Sequence, residues 1–304
     1  MSDTRKLEET ADLLNKFANT FFAPFHSDWP VRIAGATHQG LVREKNEDRY
    51  IALRRERSRG ILATNLDSKS LNLRSDKAYV MVVADGVGGA AHGDFASQLA
   101  LETAVELGTN ATSWVMKFGS MDAQQVRART DAYIGVIQET LLAYAESTPE
   151  LRGMGTTWTS AYIVPPHAVV VHVGDSRAYQ YGRGNLRQVT RDQTLAQQLI
   201  DAGSAPESVS KLRSVLTNCL GGKSDDVTAE IYKLTLECGD RLLLCSDGLS
   251  DMVEDAKISQ VLAEHDDPQS ACDQLVQAAL DKGGKDNVTV VLCSVGSNEE
   301  SESR

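Results

Sequence analysis

The apolar residues of this chain gather into short runs that end abruptly on acids. Tyr79 to Ala84 runs into Asp85, Ala168 to Gly174 into Asp175, and Leu242 to Cys245 reaches Asp247 after Ser246. A fourth acid, Asp286, stands with Asn287 just before the run from Val288 to Cys293. Apolar runs of this length predict strands buried on both faces. A carboxylate at the edge of such a core is costly to desolvate unless something cationic compensates it.

Further strands are predicted over "VRIAGATH" from Val31, Thr157 to Val164, Val169 to Val173 and Arg177 to Tyr181, with tight "PPH" and "GDS" connections that suit antiparallel hairpins. Helices are predicted over Gly93 to Leu107, Asp122 to Ala145, Leu195 to Ala202, Ala256 to Ala263 and Pro268 to Leu280. Grouped helices between antiparallel strands predict a layered α+β domain. A parallel dinucleotide-binding sheet fails in detail, because "DGVGG" puts its Asp before the glycines and no GxGxxG opens the helix behind.

Two segments flank the main domain, residues 31–296, and one interrupts it. Residues 1–30 form an N-terminal arm with Leu7, Leu13, Leu14, Phe17 and Phe21 at mostly helical spacing; it holds four of the six phenylalanines and is expected to bury a face. Arg54 to Lys77 is polar and weakly periodic, and is expected to be a mobile hairpin loop or insertion. Residues 297–304 are acidic and Ser-rich, and are expected to be disordered.

A net charge of -11 argues against nucleic acid or an anionic membrane surface as partner, since both call for a positive footprint. The five cysteines form no CxxC pair, so neither zinc nor a disulfide framework is indicated. No apolar run approaches the roughly 20 residues of a membrane span, and "MSDTRKLEET" lacks the order of a signal peptide. A cytoplasmic protein is the expectation.

Glu47 and Asp48 in "REKNEDRY" join Asp85, Asp175, Asp247, Asp251 and Asp286 at predicted element ends. Any one Asp-Gly after a strand is ordinarily a turn; the repetition is what changes the reading. Such acids can converge only at one rim of a sheet structure, and they repel by several kcal/mol at an effective dielectric of about 20 unless cations lie between them. Oxygen-only ligands select magnesium or manganese. Two such ions can activate a water and hold an in-line displacement, which points to phosphate-ester hydrolysis. Arg43, four residues before Glu47, supplies the two-point donor that a phosphoryl group prefers.

In order, "REKNEDRY", "VVADGVGG", "GMGTTWTSAYI", "VHVGDSRAYQY", "TRDQTLAQQLIDAG", "LTNCLGG", "LLLCSDGLSDMV" and "GGKDNVTVV" resemble the successive motifs of metal-dependent protein Ser/Thr phosphatases, the PPM or type 2C family, over about Val31 to Val295. The resemblance implies a β-sandwich of two antiparallel sheets flanked by helices, with a dinuclear Mg/Mn site at one end, and dephosphorylation of phosphoserine or phosphothreonine proteins by metal-activated water, opposite a Ser/Thr kinase in bacterial signalling. Arg43 resembles the phosphate-binding arginine, and Glu47 and Asp48 match the first acidic pair, Asp48 from behind. Asp85 matches the bridging carboxylate, Gly86 the backbone-carbonyl ligand, and Asp247 and Asp286 the remaining ligands. Asp175, with Asp247 and Asp251, resembles a third-metal site, and residues 192–218 stand where the family has its flap. Val87 replaces a His of animal members, which implies a bacterial-type enzyme. His92 is read as a surface histidine ahead of a helix, and His172 as a satisfied core residue. The alternatives are a catalytically inactive partner-binding relative and a hydrolase of small phosphate esters.

Overall fold

In the computed structural model, which describes residues 29–58, 60–67, 76–87, 92–110, 123–222 and 226–296, the elements follow in this order. The chain forms β1 (Val31–His38), β2 (Arg49–Arg57), β3 (Asp76–Ala84), β4 (Gly86–Val87), α1 (Gly93–Asn110), α2 (Ala123–Ser147), β5 (Gly155–Thr156), β6 (Trp158–Val164) and β7 (His167–Val173). There follow β8 (Arg177–Gly182), β9 (Asn185–Gln188), α3 (Leu195–Asp201), β10 (Leu220–Gly221), β11 (Glu230–Thr235), β12 (Arg241–Cys245), α4 (Asp247–Ser250), α5 (Asp255–Glu264), α6 (Pro268–Asp281) and β13 (Val288–Val295). Residues 1–28 of the arm, residues 59 and 68–75 of the 54–77 segment, and the acidic tail lie outside the described residues.

Two antiparallel five-stranded sheets, ordered β1-β13-β12-β8-β9 and β11-β7-β6-β3-β2, face each other, and β10-β5-β4 form a separate small sheet. Helices cover both outer faces. This layering explains the continuous apolar runs. Leu242 and Leu244 of β12 point into the layer between the sheets, whereas Leu243 and Cys245 pack under α5 and α6. In β3, Met81 and Val83 point inward while Val82 and Ala84 meet α1 and α2. Both sides of the two-residue period are therefore apolar, and each buried Leu or Val contributes roughly 1.5–3 kcal/mol.

The expectation of a loop from Arg54 is corrected at both ends, because Arg54–Arg57 continues β2 and Asp76–Lys77 opens β3. The charges that suggested a loop sit on an edge strand, where Glu56 pairs across to Lys77. Opposite charges placed across a ladder stabilise it, and solvated charge suits a strand with a free edge.

Strand direction creates the rim. Ala84 at the end of β3 pairs with Arg49 at the start of β2, and Cys245 at the end of β12 pairs with Val290 near the start of β13. Trp158 at the start of β6 likewise pairs with Val173 at the end of β7. The segments carrying Asp48, Asp85, Asp175, Asp247 and Asp286 are thus delivered to one end of the sandwich.

Candidate metal centre

Each acid is fixed by its own neighbours. Ser246 caps β12 and donates its hydroxyl to Asp48 Oδ2 at 2.7 Å, while the amide of Thr289 donates to the same Ser246 oxygen at 3.0 Å. Asp48 is 2% exposed, and its Oδ1 has no hydrogen-bond partner among the described residues. Burial raises the Asp48 carboxyl to about 6, against the lowering effect of Ser246, Thr289 and the neighbouring Asp85. Asp85 lies well above its ordinary range, first because it is desolvated and then because Asp48, Asp247, Asp175 and Asp286 all act on it. Its backbone is pinned, with the amide donating to Thr157 Oγ1 at 3.0 Å and the carbonyl accepting from the Thr157 amide at 2.8 Å.

Asp247 opens the single turn α4 and is likewise raised well above the usual carboxylate range, by desolvation and then by Asp175, Asp286 and Asp251. Burial, with Asp192 and Asp251, raises Asp175 to about 7. Glu47 is raised by burial and Asp94, partly offset by Arg43. Burial also raises Asp251, which borders the cleft beside the ring. Gly86 brings its backbone against Gly93 so closely that a Cβ on Gly93 would stand 2.7 Å from the Gly86 carbonyl carbon. Its amide donates to the Glu47 carbonyl at 3.3 Å, which the Ser97 hydroxyl also reaches at 2.6 Å.

The cationic partner in this ring is Arg43, whose Nη2 meets Asp286 Oδ2 at 2.6 Å and is held protonated first by that bond and then by Asp247 and Glu47. Among the described residues no three His, Cys, Asp or Glu side chains close around a single point. The carboxylates line a ring instead, with Arg43 drawn onto one member. The donor set nevertheless fits a hard divalent cation: the ligating atoms on offer are carboxylate oxygens, one buried Asp48 oxygen has no donor among the described residues, and three acids are raised by desolvation and then by the charge of neighbouring carboxylates.

Sequence reasoning passed over the residue that holds this rim together. Asn287, 5% exposed, accepts from the Glu47 amide at 2.8 Å and donates to the carbonyls of Gln39 at 2.7 Å and Lys45 at 2.8 Å. Only its partners some 240 positions away give it a role. Gly248 packs so tightly on the Asn287 carbonyl that a Cβ would overlap it. A second network ties the ring to the flap. Thr157 and Ser176 share a hydroxyl contact of 2.8 Å, Thr159 bonds the Ser176 carbonyl and His172 Nδ1, and His172 Nε2 meets the Arg191 carbonyl at 3.0 Å. His172 is thereby the satisfied core histidine expected, with its pKa lowered by burial. His92 is exposed and its carbonyl receives the first amides of α1.

The flap is rooted at both ends. Gln193 Oε1 accepts from the Gly174 amide at 2.8 Å and from Asn218 at 2.9 Å, and Arg177 grips Asp192 through two bonds of 2.9 and 2.6 Å. Between this flap and the ring lies a cleft of about 700 Å³, bordered by Lys211, Arg213, Lys285, Asp247 and Asp251.

These shifts fix the pH response of the metal-free protein. Asp48 and Asp175 titrate higher folded than unfolded, so their contribution is fully present below about pH 4 and is lost as pH rises through about 6 and 7. The melting temperature in chelator is expected to fall over that window, and Asp175→Asn to flatten the fall. A slope unchanged by Asp175→Asn would contradict the assignment.

A family profile described as Protein phosphatase 2C matches residues 63–287. The serine/threonine protein phosphatase PstP of Mycobacterium tuberculosis is 34% identical over 268 residues, covering 87% of this chain and 45% of PstP, so the chain spans less than half of that relative. The serine/threonine phosphatase stp of Listeria innocua is 31% identical over 75% of this chain and 89% of its own. Among solved structures, the PstP catalytic domain in complex with 2 manganese ions superposes with a TM-score of 0.67 at 31% identity, covering 88% of this chain and 99% of that one. Stp1 from Staphylococcus aureus superposes with a TM-score of 0.72 at 28% identity, covering 88% and 96%.

Proposed function

The chain belongs to the protein phosphatase 2C family, and from that premise we propose that it is a metal-dependent protein serine/threonine phosphatase. The observation that carries the reading is the set of buried carboxylates raised first by desolvation, Asp48, Asp85, Asp175 and Asp247, beside the Arg43–Asp286 pair at one end of the sandwich.

Asp85, Asp247 and Asp286 would hold the principal pair of manganese or magnesium ions, with Gly86 lending its carbonyl, Glu47 alongside and Asp48 behind; the manganese complex of the PstP catalytic domain supports that choice. Bound ions of this kind neutralise phosphoryl charge and acidify a water nucleophile. The side chains supply position. Half-exposed Arg43 offers its planar fork to the phosphoryl oxygens and gives up Asp286 in doing so. Ser246 and Thr289 hold Asp48, and Thr157 fixes the backbone of Asp85, so neither ligand needs to reorganise on binding. Asp175 and Asp251 stand on the flap side, where a third, weaker ion would bind.

The flap side of the cleft is built from exposed residues, Glu207, Ser210 and Lys211 among them. That breadth favours a phosphoserine or phosphothreonine segment of a partner protein over a small ester, which would need enclosure. A Ser/Thr kinase in bacterial signalling is the opposing activity in this reading, and the setting is cytoplasmic. No helix among the described residues is long and apolar enough to cross a membrane.

The direct test compares turnover of phosphothreonine and phosphotyrosine peptides, with manganese and with chelator. Manganese-dependent hydrolysis of the phosphothreonine peptide is expected. A chain that binds manganese and releases no phosphate would be the inactive relative, and better turnover of small esters than of peptides would favour the other alternative. Asp175→Ala is expected to lower kcat at least about tenfold with little change in KM, as for an interaction made mainly in the transition state. Equal numbers of bound ions in mutant and parent by calorimetry would refute the third site.

A further inference from the structure

The outer face of the β11-β7-β6-β3-β2 sheet is incompletely covered by α1 and α2. Between them runs an apolar groove of about 370 Å³, walled by Leu53, Val80 and Val169 of the sheet and by Val105 and Gly108 of α1, with Arg55 as its charged member. It lies on the opposite face of this sheet from the layer between the sheets, and Leu53 and Arg55 place part of it toward the end of β2 remote from the carboxylates.

We propose that the N-terminal segment 1–28 of the same chain fills this groove, seating phenylalanines from Phe17 to Phe25 in it. The first argument is where the segment starts. Trp29 packs into the layer between the sheets together with Tyr79. Gly35 of β1 touches the ring of Tyr50 on β2. β1 runs toward the rim and β2 away from it, so going back from Gly35 to Trp29 leads toward Leu53 and Arg55. The second is the route. β2 is the edge strand of its sheet and β1, into which residue 29 leads, is the edge strand of the other, so the path to the outer face crosses the spacing between the sheets, about 10 Å, and rounds β2; the seven residues from Phe22 to Asp28 span up to about 25 Å. The third is chemistry. Residues 1–28 hold four of the six phenylalanines and five acids against three bases, which suits an apolar groove containing one arginine. The segment 111–122, which leaves α1 beside Thr109, is the competing occupant. It carries Trp114 and Phe118 but balances Lys117 with Asp122, and so offers Arg55 no net charge.

Tryptic cleavage after Lys16 in the full chain, read with light-scattering mass and binding of a hydrophobic dye, tests the assignment. Gly108→Trp fills the groove from α1, where a Cβ meets nothing within 4 Å; Phe21→Asp with Phe22→Asp removes the anchors from the other side. Each is expected to speed cleavage at Lys16 at least about tenfold at unchanged monomer mass, and the Phe variant to bind dye that the parent does not. Cleavage at the parent rate in both variants would overturn the proposal. So would protection of Lys16 that appears only with doubled mass, or opening of the groove to dye by Trp114→Asp with Phe118→Asp while Lys16 stays protected.

Discussion

Asp247→Asn is expected to lower phosphopeptide turnover by about 100-fold or more at modest manganese while leaving the fold intact. Outer partners of a metal ligand already contribute roughly 10- to 100-fold, and Asp247 would be a ligand itself. The substitution keeps shape and removes charge. In the metal-free protein that charge is a burden, since Asp247 is desolvated and repelled by Asp175, Asp286 and Asp251. The variant should therefore melt no lower than the parent in chelator at pH 7.5, while manganese raises its melting temperature less. Loss of turnover without loss of structure separates a ligand from a packing residue; full activity at modest manganese would sink the assignment.

Asn287→Ala is expected to be the most damaging substitution that touches no candidate ligand atom. It strips partners from the Glu47 amide and from the carbonyls of Gln39 and Lys45 in one step. Leaving a buried polar group unsatisfied costs about 1–3 kcal/mol; these three bonds are part-buried and Gln39 and Lys45 are exposed, so a loss on the order of 2–3 kcal/mol and a melting temperature lower by about 5–10 °C follow. Arg43 and Glu47 ride on the released loop, so turnover should fall at temperatures where the protein is still folded. Thermal melts with peptide assays at 15 °C would separate the two effects. A variant that melts like the parent would mean that these bonds exchange for water at no cost.

The rim was legible because its strands are buried on both faces and stop where the sandwich stops, which wrote Asp85, Asp175 and Asp247 into the sequence as interruptions of apolar runs. β11, "EIYKLT", escaped for the opposite reason: it is an edge strand in which only Leu234 is buried, so its pattern resembles a loop. β9 is short and edge-placed in the other sheet and escaped likewise. Helix ends moved by up to three residues, α1 running to Asn110, because side-chain periodicity fades before the backbone stops. Asn287, Ser246 and Thr157 could not be identified at all as site residues. Each is a small polar residue whose meaning lies in a partner more than 40 positions away, and no local spacing encodes that.

Asp85 and Asp175 follow strands of one sheet, and Asp247 and Asp286 flank strands of the other. The gap between the two pairs is therefore a caliper setting, and the jaws are held apart by Met81, Val83, Leu242, Leu244 and Val291 in the apolar layer between. Such interiors resist compression, so the opening is fixed before any ion or substrate arrives. A core exchange such as Val83→Ala, wholly inside the protein and away from every charge, would let the jaws close. Divalent ions differ in radius, and with these acids as ligands the choice among them would become a property that drift in the hydrophobic interior could retune.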